Sequence, residues 1–142
     1  MTRYLLDTNV ISDALRPRPS PALAAWMSDQ IDTDLFISTL SLAEIQRGIL
    51  QLPLGRRRNE LEAWYAGRYG PTTLFGERIF AFDVPAAGVW ARLMAEGNRR
   101  GSPRSAVDMI VAAIAIAHDC TVVTANERHF GDVVSVLNPA RT

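Results

Sequence analysis

The chain has 142 residues, 48% of them hydrophobic and 21% charged, which is the composition of a globular protein rather than of a disordered one. Fifteen positive residues balance fifteen acids, so the formal net charge is zero and the chain as a whole is no polycation drawn to nucleic acid. All the positive residues are arginine, which excludes any chemistry that needs a lysine, and the single Cys120 excludes an internal disulfide framework.

The longest apolar run, 109–117, falls well short of the roughly 20 residues a membrane helix needs. Asp7 ends the N-terminal Tyr4-Leu5-Leu6 too early for a signal peptide. The expectation is a single cytoplasmic domain over 1–142 with no membrane partner. The arginine bias itself has two readings, GC-rich coding or a use for the guanidinium fork on phosphate.

In chain order, residues 4–7 read as a buried strand and 8–15 as a helix stopped by Pro17 and Pro19. Ser20-Pro21 reads as an N-cap with proline in the first turn, opening a helix over 22–29. A second strand is expected over 34–39. Leu42, Ile45, Ile49 and Leu52 then recur at helical spacing until Pro53 and Gly55, and 56–69 reads as a further helix. Gly70-Pro71 marks a turn, and 78–83 a third strand. Pro85 opens a helix closing near Gly97, Gly101-Ser102-Pro103 breaks the chain, and 105–117 is its most apolar helix. Residues 121–124 and 133–137 complete the strands. Strands separated by helices imply parallel pairing through right-handed crossovers, hence an α/β three-layer sandwich with a mainly parallel central sheet of four to five strands.

In such sheets ligands bind beyond the carboxyl ends of the strands, and acids gather there. Asp7 closes the first strand, where a plain helix cap would also explain it. Glu44 lies one turn into the helix after the second strand, where pairing with Arg47 is the ordinary role. Asp108 is the only polar residue between Ala106 and Ala117, so burial of its helix all round would leave a costly carboxylate unless a cation met it. Its ordinary role is a capping box with Ser105. Asn126 follows the fourth strand at a position where a turn asparagine is the default. Gathered carboxylates repel, a divalent cation relieves them, and oxygen ligands favour Mg²⁺ or Mn²⁺ over zinc. Cys120, His118 and His129 lack zinc-type spacing.

With those residues in place, the chain resembles the PIN-domain ribonucleases, specifically VapC-type toxins of VapBC toxin–antitoxin pairs. The likeness runs through Leu5-Leu6-Asp7-Thr8-Asn9-Val10-Ile11-Ser12, Ala43-Glu44, Ala106-Val107-Asp108-Met109-Ile110-Val111-Ala112-Ala113 and Val123-Thr124-Ala125-Asn126 to Phe130. The resemblance implies a single PIN-like nuclease domain whose metal-binding acids are Asp7, Glu44 and Asp108. Asn126 stands where some relatives place a fourth aspartate, and His129 where many place an acid. It implies one ion held by Asp7 and Asp108, with a second arriving alongside substrate phosphate. Thr8, Asn9 and Thr124 are candidates for supporting contacts. Water activated by the metal would attack a phosphodiester of RNA, with Glu44 orienting or deprotonating it.

Arg99, Arg100 and Arg104 are the expected RNA grip, and Arg56, Arg57 and Arg58 an ordinary solvated helix end. The implied partners are a VapB-type antitoxin and a second copy of the chain in a homodimer. Leu23, Trp26, Met27 and Leu52 are expected to wall the antitoxin groove. Other readings of acidic strand ends are weaker on the residues. A phosphoacceptor receiver domain wants a lysine the chain lacks. A haloacid-dehalogenase-type phosphatase wants a second aspartate where Asn9 stands. A catalytically silent PIN scaffold is the remaining alternative, and Asn126 is its support.

Overall fold

The computed structural model describes residues 2–141. Five strands, β1 (Tyr4–Leu6), β2 (Leu35–Ser38), β3 (Ile79–Phe80), β4 (Thr121–Val123) and β5 (Val136–Leu137), form one sheet in the order β3-β2-β1-β4-β5. All four pairings are parallel. The helices are α1 (Thr8–Ala14), α2 (Pro21–Ser28), α3 (Thr39–Leu50), α4 (Arg56–Ala66), α5 (Pro71–Phe75), α6 (Val84–Arg99) and α7 (Ala106–Ala117). No described helix is long and apolar enough to cross a membrane.

Both sheet faces are apolar because both are covered. Leu5, Phe36, Phe80 and Val122 face a core closed by α6 and α7. Their strand neighbours Leu6, Ile37, Ile79 and Val123 face a second core with Val10, Ile11, Leu23 and Trp26 from α1 and α2. The period of two along each strand makes this division, and a sheet buried on both faces needs continuous apolar strands. The expected parallel sandwich is the structure observed. Strand order reverses beside β1, since β2 and β3 lie on one side of it and β4 and β5 on the other. That switch point is where a parallel sheet opens a crevice beyond its carboxyl ends.

Several elements differ from the sequence expectation. β3 is two residues long instead of spanning 78–83, because Asp83 is spent capping α6 through a hydrogen bond from the Ala86 amide. Similarly, β5 is confined to Val136–Leu137. α4 stops at Ala66 rather than Tyr69, and the expected turn at Gly70-Pro71 opens the short α5. The chain doubles back so tightly there that a Cβ on Gly70 would collide with the Tyr65 carbonyl oxygen. Ser20 occupies the N-cap of α2 but makes no capping bond; its hydroxyl instead donates to Asp13 at 2.7 Å. Cys120 is a core residue whose thiol burial pushes up to about 11.

The corner between α6 and α7 is similarly close. A Cβ on Gly97 would sit 3.0 Å from the Ser102 carbonyl oxygen and 3.1 Å from Cγ of Arg104. Replacing a helical glycine by alanine ordinarily stabilises by roughly 0.5–1 kcal/mol. Here Ser102 cannot retreat cheaply, because its own amide donates to the Gly97 carbonyl at 2.9 Å. Overpacking of about 1–3 kcal/mol therefore outweighs the helical gain. Gly97→Ala is expected to lower the urea midpoint, and an unchanged or raised midpoint would show the corner to be slack.

Candidate active site

Asp7 is the residue at which β1 becomes α1, and it serves as a cap and as something more. Its Oδ1 accepts from the Thr8 amide at 2.9 Å. Its Oδ2 accepts from the Thr124 hydroxyl at 2.9 Å and from the Asn9 side-chain amide at 3.1 Å. Thr124, wholly buried, also accepts from the Asn126 amide at 3.0 Å, while Oδ1 of Asn9 accepts from the Ala125 amide at 3.2 Å. The ends of β1 and β4 are thus laced together around one carboxylate.

The Thr8 hydroxyl reaches the other way. It donates to Oε1 of Glu44 at 2.6 Å and lies 2.9 Å from the Ser41 hydroxyl. Ser41 is fixed in turn by the cap of α3, where its amide donates to the Ser38 hydroxyl at 3.2 Å. Glu44 is therefore held by Thr8 across the crevice, and among the described residues no ion pair joins it to Arg47. Burial raises the Asp7 carboxyl above its ordinary value, against the hydrogen bonds from Thr124 and Thr8, and the charges of Glu44 and Asp108 raise it further. Glu44 and Asp108 are thus both near enough for their charges to act on Asp7.

Asp108 is placed by its helix, though not as the apolar run suggested. Its side chain is 28% exposed, and Val107 beside it is 48% exposed. Full burial begins at Met109 and becomes continuous only from Val111 through Ala115. The first turn of α7 is wet because it opens onto the crevice. Ser105 does cap it, accepting from the Asp108 amide at 3.3 Å. Oδ2 of Asp108 lies 3.6 Å from Nδ1 of His129, too far for a hydrogen bond.

Two polar grooves border this region. One, of about 450 Å³, includes Asn126, Glu127, Arg128, His129 and Arg141. The other, of about 390 Å³, includes Asp108, Arg100, Arg104, Arg128 and His129. Asp7 and Glu44 line neither. Among the described residues no three histidine, cysteine, aspartate or glutamate side chains stand arranged as a ready ligand set. The acids share a field without forming a closed cage. The charges of Glu44 and Asp108 both act against an ionised Asp7. Oxygen donors in such a field fit a hard divalent cation.

Two of the three arginines expected to grip RNA have partners within the chain. Arg104, whose side chain is only 15% exposed, donates to the Leu93 carbonyl at 2.7 Å and to Oε1 of Glu96 at 3.3 Å. Arg100 shares Glu96 at 3.2 Å. Arg99 is exposed but lines neither groove. Two of the residues expected to wall an antitoxin groove are core: Leu23 and Trp26 are 3% and 8% exposed, and Trp26 meets Tyr4 edge to face at 5.0 Å. α2 turns that face onto the sheet. An apolar groove open at the surface lies between α1, α3 and α4, with Leu15, Ile45, Ile49, Leu61 and Trp64 along it.

A parallel sheet of this order, with acids from β1, α3 and α7 at its carboxyl edge, has the build of a PIN domain. A family model for the PIN domain matches residues 4–134, and the chain belongs to that family. Within it, the chain is 36% identical over 136 residues to the toxin FitB of Neisseria gonorrhoeae, covering 95% of this chain and 96% of that one. It is 32% identical, over the same shares, to the VapC ribonuclease Y4jK of Sinorhizobium fredii. In three dimensions it is similar to a chain in the crystal structure of FitAcB from Neisseria gonorrhoeae. The TM-score is 0.87 at 34% identity, over 98% of this chain and 99% of the other. The receiver and phosphatase readings fall with that membership.

Proposed function

We propose that this chain is the toxin of a type II toxin–antitoxin pair and cuts RNA as a divalent-metal-dependent endoribonuclease. The observation that carries the reading is that the charges of Glu44 and Asp108 both bear on Asp7 at the carboxyl edge of the sheet. The similarity to FitB and to a VapC ribonuclease over nearly the whole chain supports it. Structures of FitAcB, and of FitAB bound to a DNA fragment, support a protein antitoxin as partner. We take the 142 residues as one cytoplasmic domain and a homodimer as its assembly.

In this reading Asp7 and Asp108 hold Mg²⁺ or Mn²⁺. A cation bound there would neutralise phosphodiester charge and lower the pKa of a water. Glu44, its Oε1 held by Thr8, presents its other oxygen to orient the attacking water and take its proton. Thr124 and Asn9 keep Asp7 aimed at the crevice. Asn126 lies along the larger groove, where its uncharged amide suits a contact to substrate.

A cleavage assay tests this directly. EDTA is expected to abolish cutting of RNA, and Mg²⁺ or Mn²⁺ in excess to restore it; a silent scaffold would not cut under either condition. The same ion should stabilise the fold by about 2.7 kcal/mol at a hundredfold excess over its Kd. The sign of the pH effect follows from Asp7. Its folded-state proton affinity is raised, so its contribution to stability is greatest below the ordinary aspartate value and is lost as pH rises through the raised one. Metal-free wild type should therefore lose stability relative to Asp7→Asn as pH rises from about 4 to 7, and added metal should reverse that loss. Melts that run parallel over this range, with and without metal, would count against the site.

A further inference from the structure

We propose that Arg128 is the residue that grips substrate phosphate, because it alone stands between both grooves with an uncommitted guanidinium; this inference rests on the ribonuclease reading above. Arg128, His129 and Gly131 line both grooves, so the two are continuous around the 3-10 turn Glu127–His129. A strand following that path passes Asn126 on one side of the turn and Asp108 on the other.

Four arginines line the path, and three are engaged. Arg104 is mostly buried and tied to Leu93 and Glu96. Arg100 pairs with the same Glu96 and Arg141 with Glu127, at 3.2 and 3.0 Å. Arg128 is exposed and, among the described residues, makes no hydrogen bond or ion pair. It can take a phosphate without giving up a partner, and bidentate geometry suits it to one.

The turn beneath it is rigid. Phe130, 2% exposed, anchors one end in the core. Thr124, accepting from the Asn126 amide, anchors the other. Asn138 donates to Oε1 of Glu127 at 3.2 Å, and Arg141 meets the same oxygen at 3.0 Å. An exposed cation on a pinned turn loses little backbone entropy when it binds. It also sits beside His129, which faces Asp108. Arg128 and Asp108, the acid proposed to bind metal, line the same groove.

The test uses the full chain, free of antitoxin, and a fluorescent single-stranded oligoribonucleotide of mixed sequence. Binding is followed by anisotropy in EDTA across a salt series, and cleavage separately in Mg²⁺. Arg128→Ala is expected to weaken binding about tenfold and to reduce the salt slope by about one. Arg128→Lys should keep most of the slope at intermediate affinity, and Arg99→Ala should match wild type. The melting midpoint of Arg128→Ala should stay at the wild-type value, since the side chain is exposed and makes no hydrogen bond or ion pair among the described residues. If wild type binds and cuts while Arg128→Ala keeps its affinity and slope, Arg128 is not the grip and the ribonuclease reading stands. A binding loss that comes with a lowered melting midpoint and that lysine does not rescue overturns the assignment too. If wild type neither binds nor cuts RNA, both readings fall.

Discussion

Asp108→Asn and Asp7→Asn are each expected to lower metal-dependent RNA cleavage by on the order of 10³-fold, the scale of losing one stabiliser of transition-state charge. Asparagine keeps the shape of aspartate but not the charge that draws a divalent ion. Neither substitution should unfold the chain. Asp108 lies in a partly exposed first turn, where the interaction of its charge with the helix is worth under about 1 kcal/mol. At Asp7 an amide can accept from Thr8 or from Thr124 and Asn9 but not on both sides, a loss of about 1 kcal/mol. Removing an ionised group held against burial and two like charges offsets part of that loss. Cleavage rates measured beside melting curves separate the two effects. Either variant cutting within about tenfold of wild type would remove that acid from the metal site.

The largest effect on stability is expected from Phe130→Ala, at about 3–5 kcal/mol. Phe130 is 2% exposed and packs in the core that α6 and α7 close over the sheet. Set against a total of about 5–15 kcal/mol for a domain, the variant should be marginal, with a melting midpoint lower by roughly 10–15 °C. Phe130→Leu keeps most of the volume and should cost under about 1.5 kcal/mol. Urea titration of the pair checks this. A loss below about 1 kcal/mol for alanine would mean that the Glu127–His129 turn is not anchored through this ring. The same substitution should disturb both grooves, because the residues common to them flank Phe130.

Much of the site was legible in the residues. Asp7 and Asn126 fall just after apolar runs, and a polar residue at such a boundary is visible without coordinates. The supporting role of Thr8, Asn9 and Thr124 was legible only as candidacy, because their bonds join residues more than a hundred positions apart or cross from α1 to α3. Arg128 left no signal of its own. A single arginine in Asn126-Glu127-Arg128-His129 looks like any solvated turn, whereas the pair before Gly101 drew attention by density.

By itself the sequence determined the alternation of strand and helix, the double burial of the sheet and the order in which the acids meet its edge. These depend on periodicity and on chain-breaking residues, which act over a few positions. Tertiary structure alone decided which charged groups are free. Arg104 is drawn inward because the α6–α7 corner at Gly97 leaves room only for its stem, and its head then takes the Leu93 carbonyl and Glu96. Asp108 stays wet because the crevice opens where α7 begins, one turn before packing closes around it. Both outcomes depend on how separate elements meet in space, and no local pattern of residues carries that information.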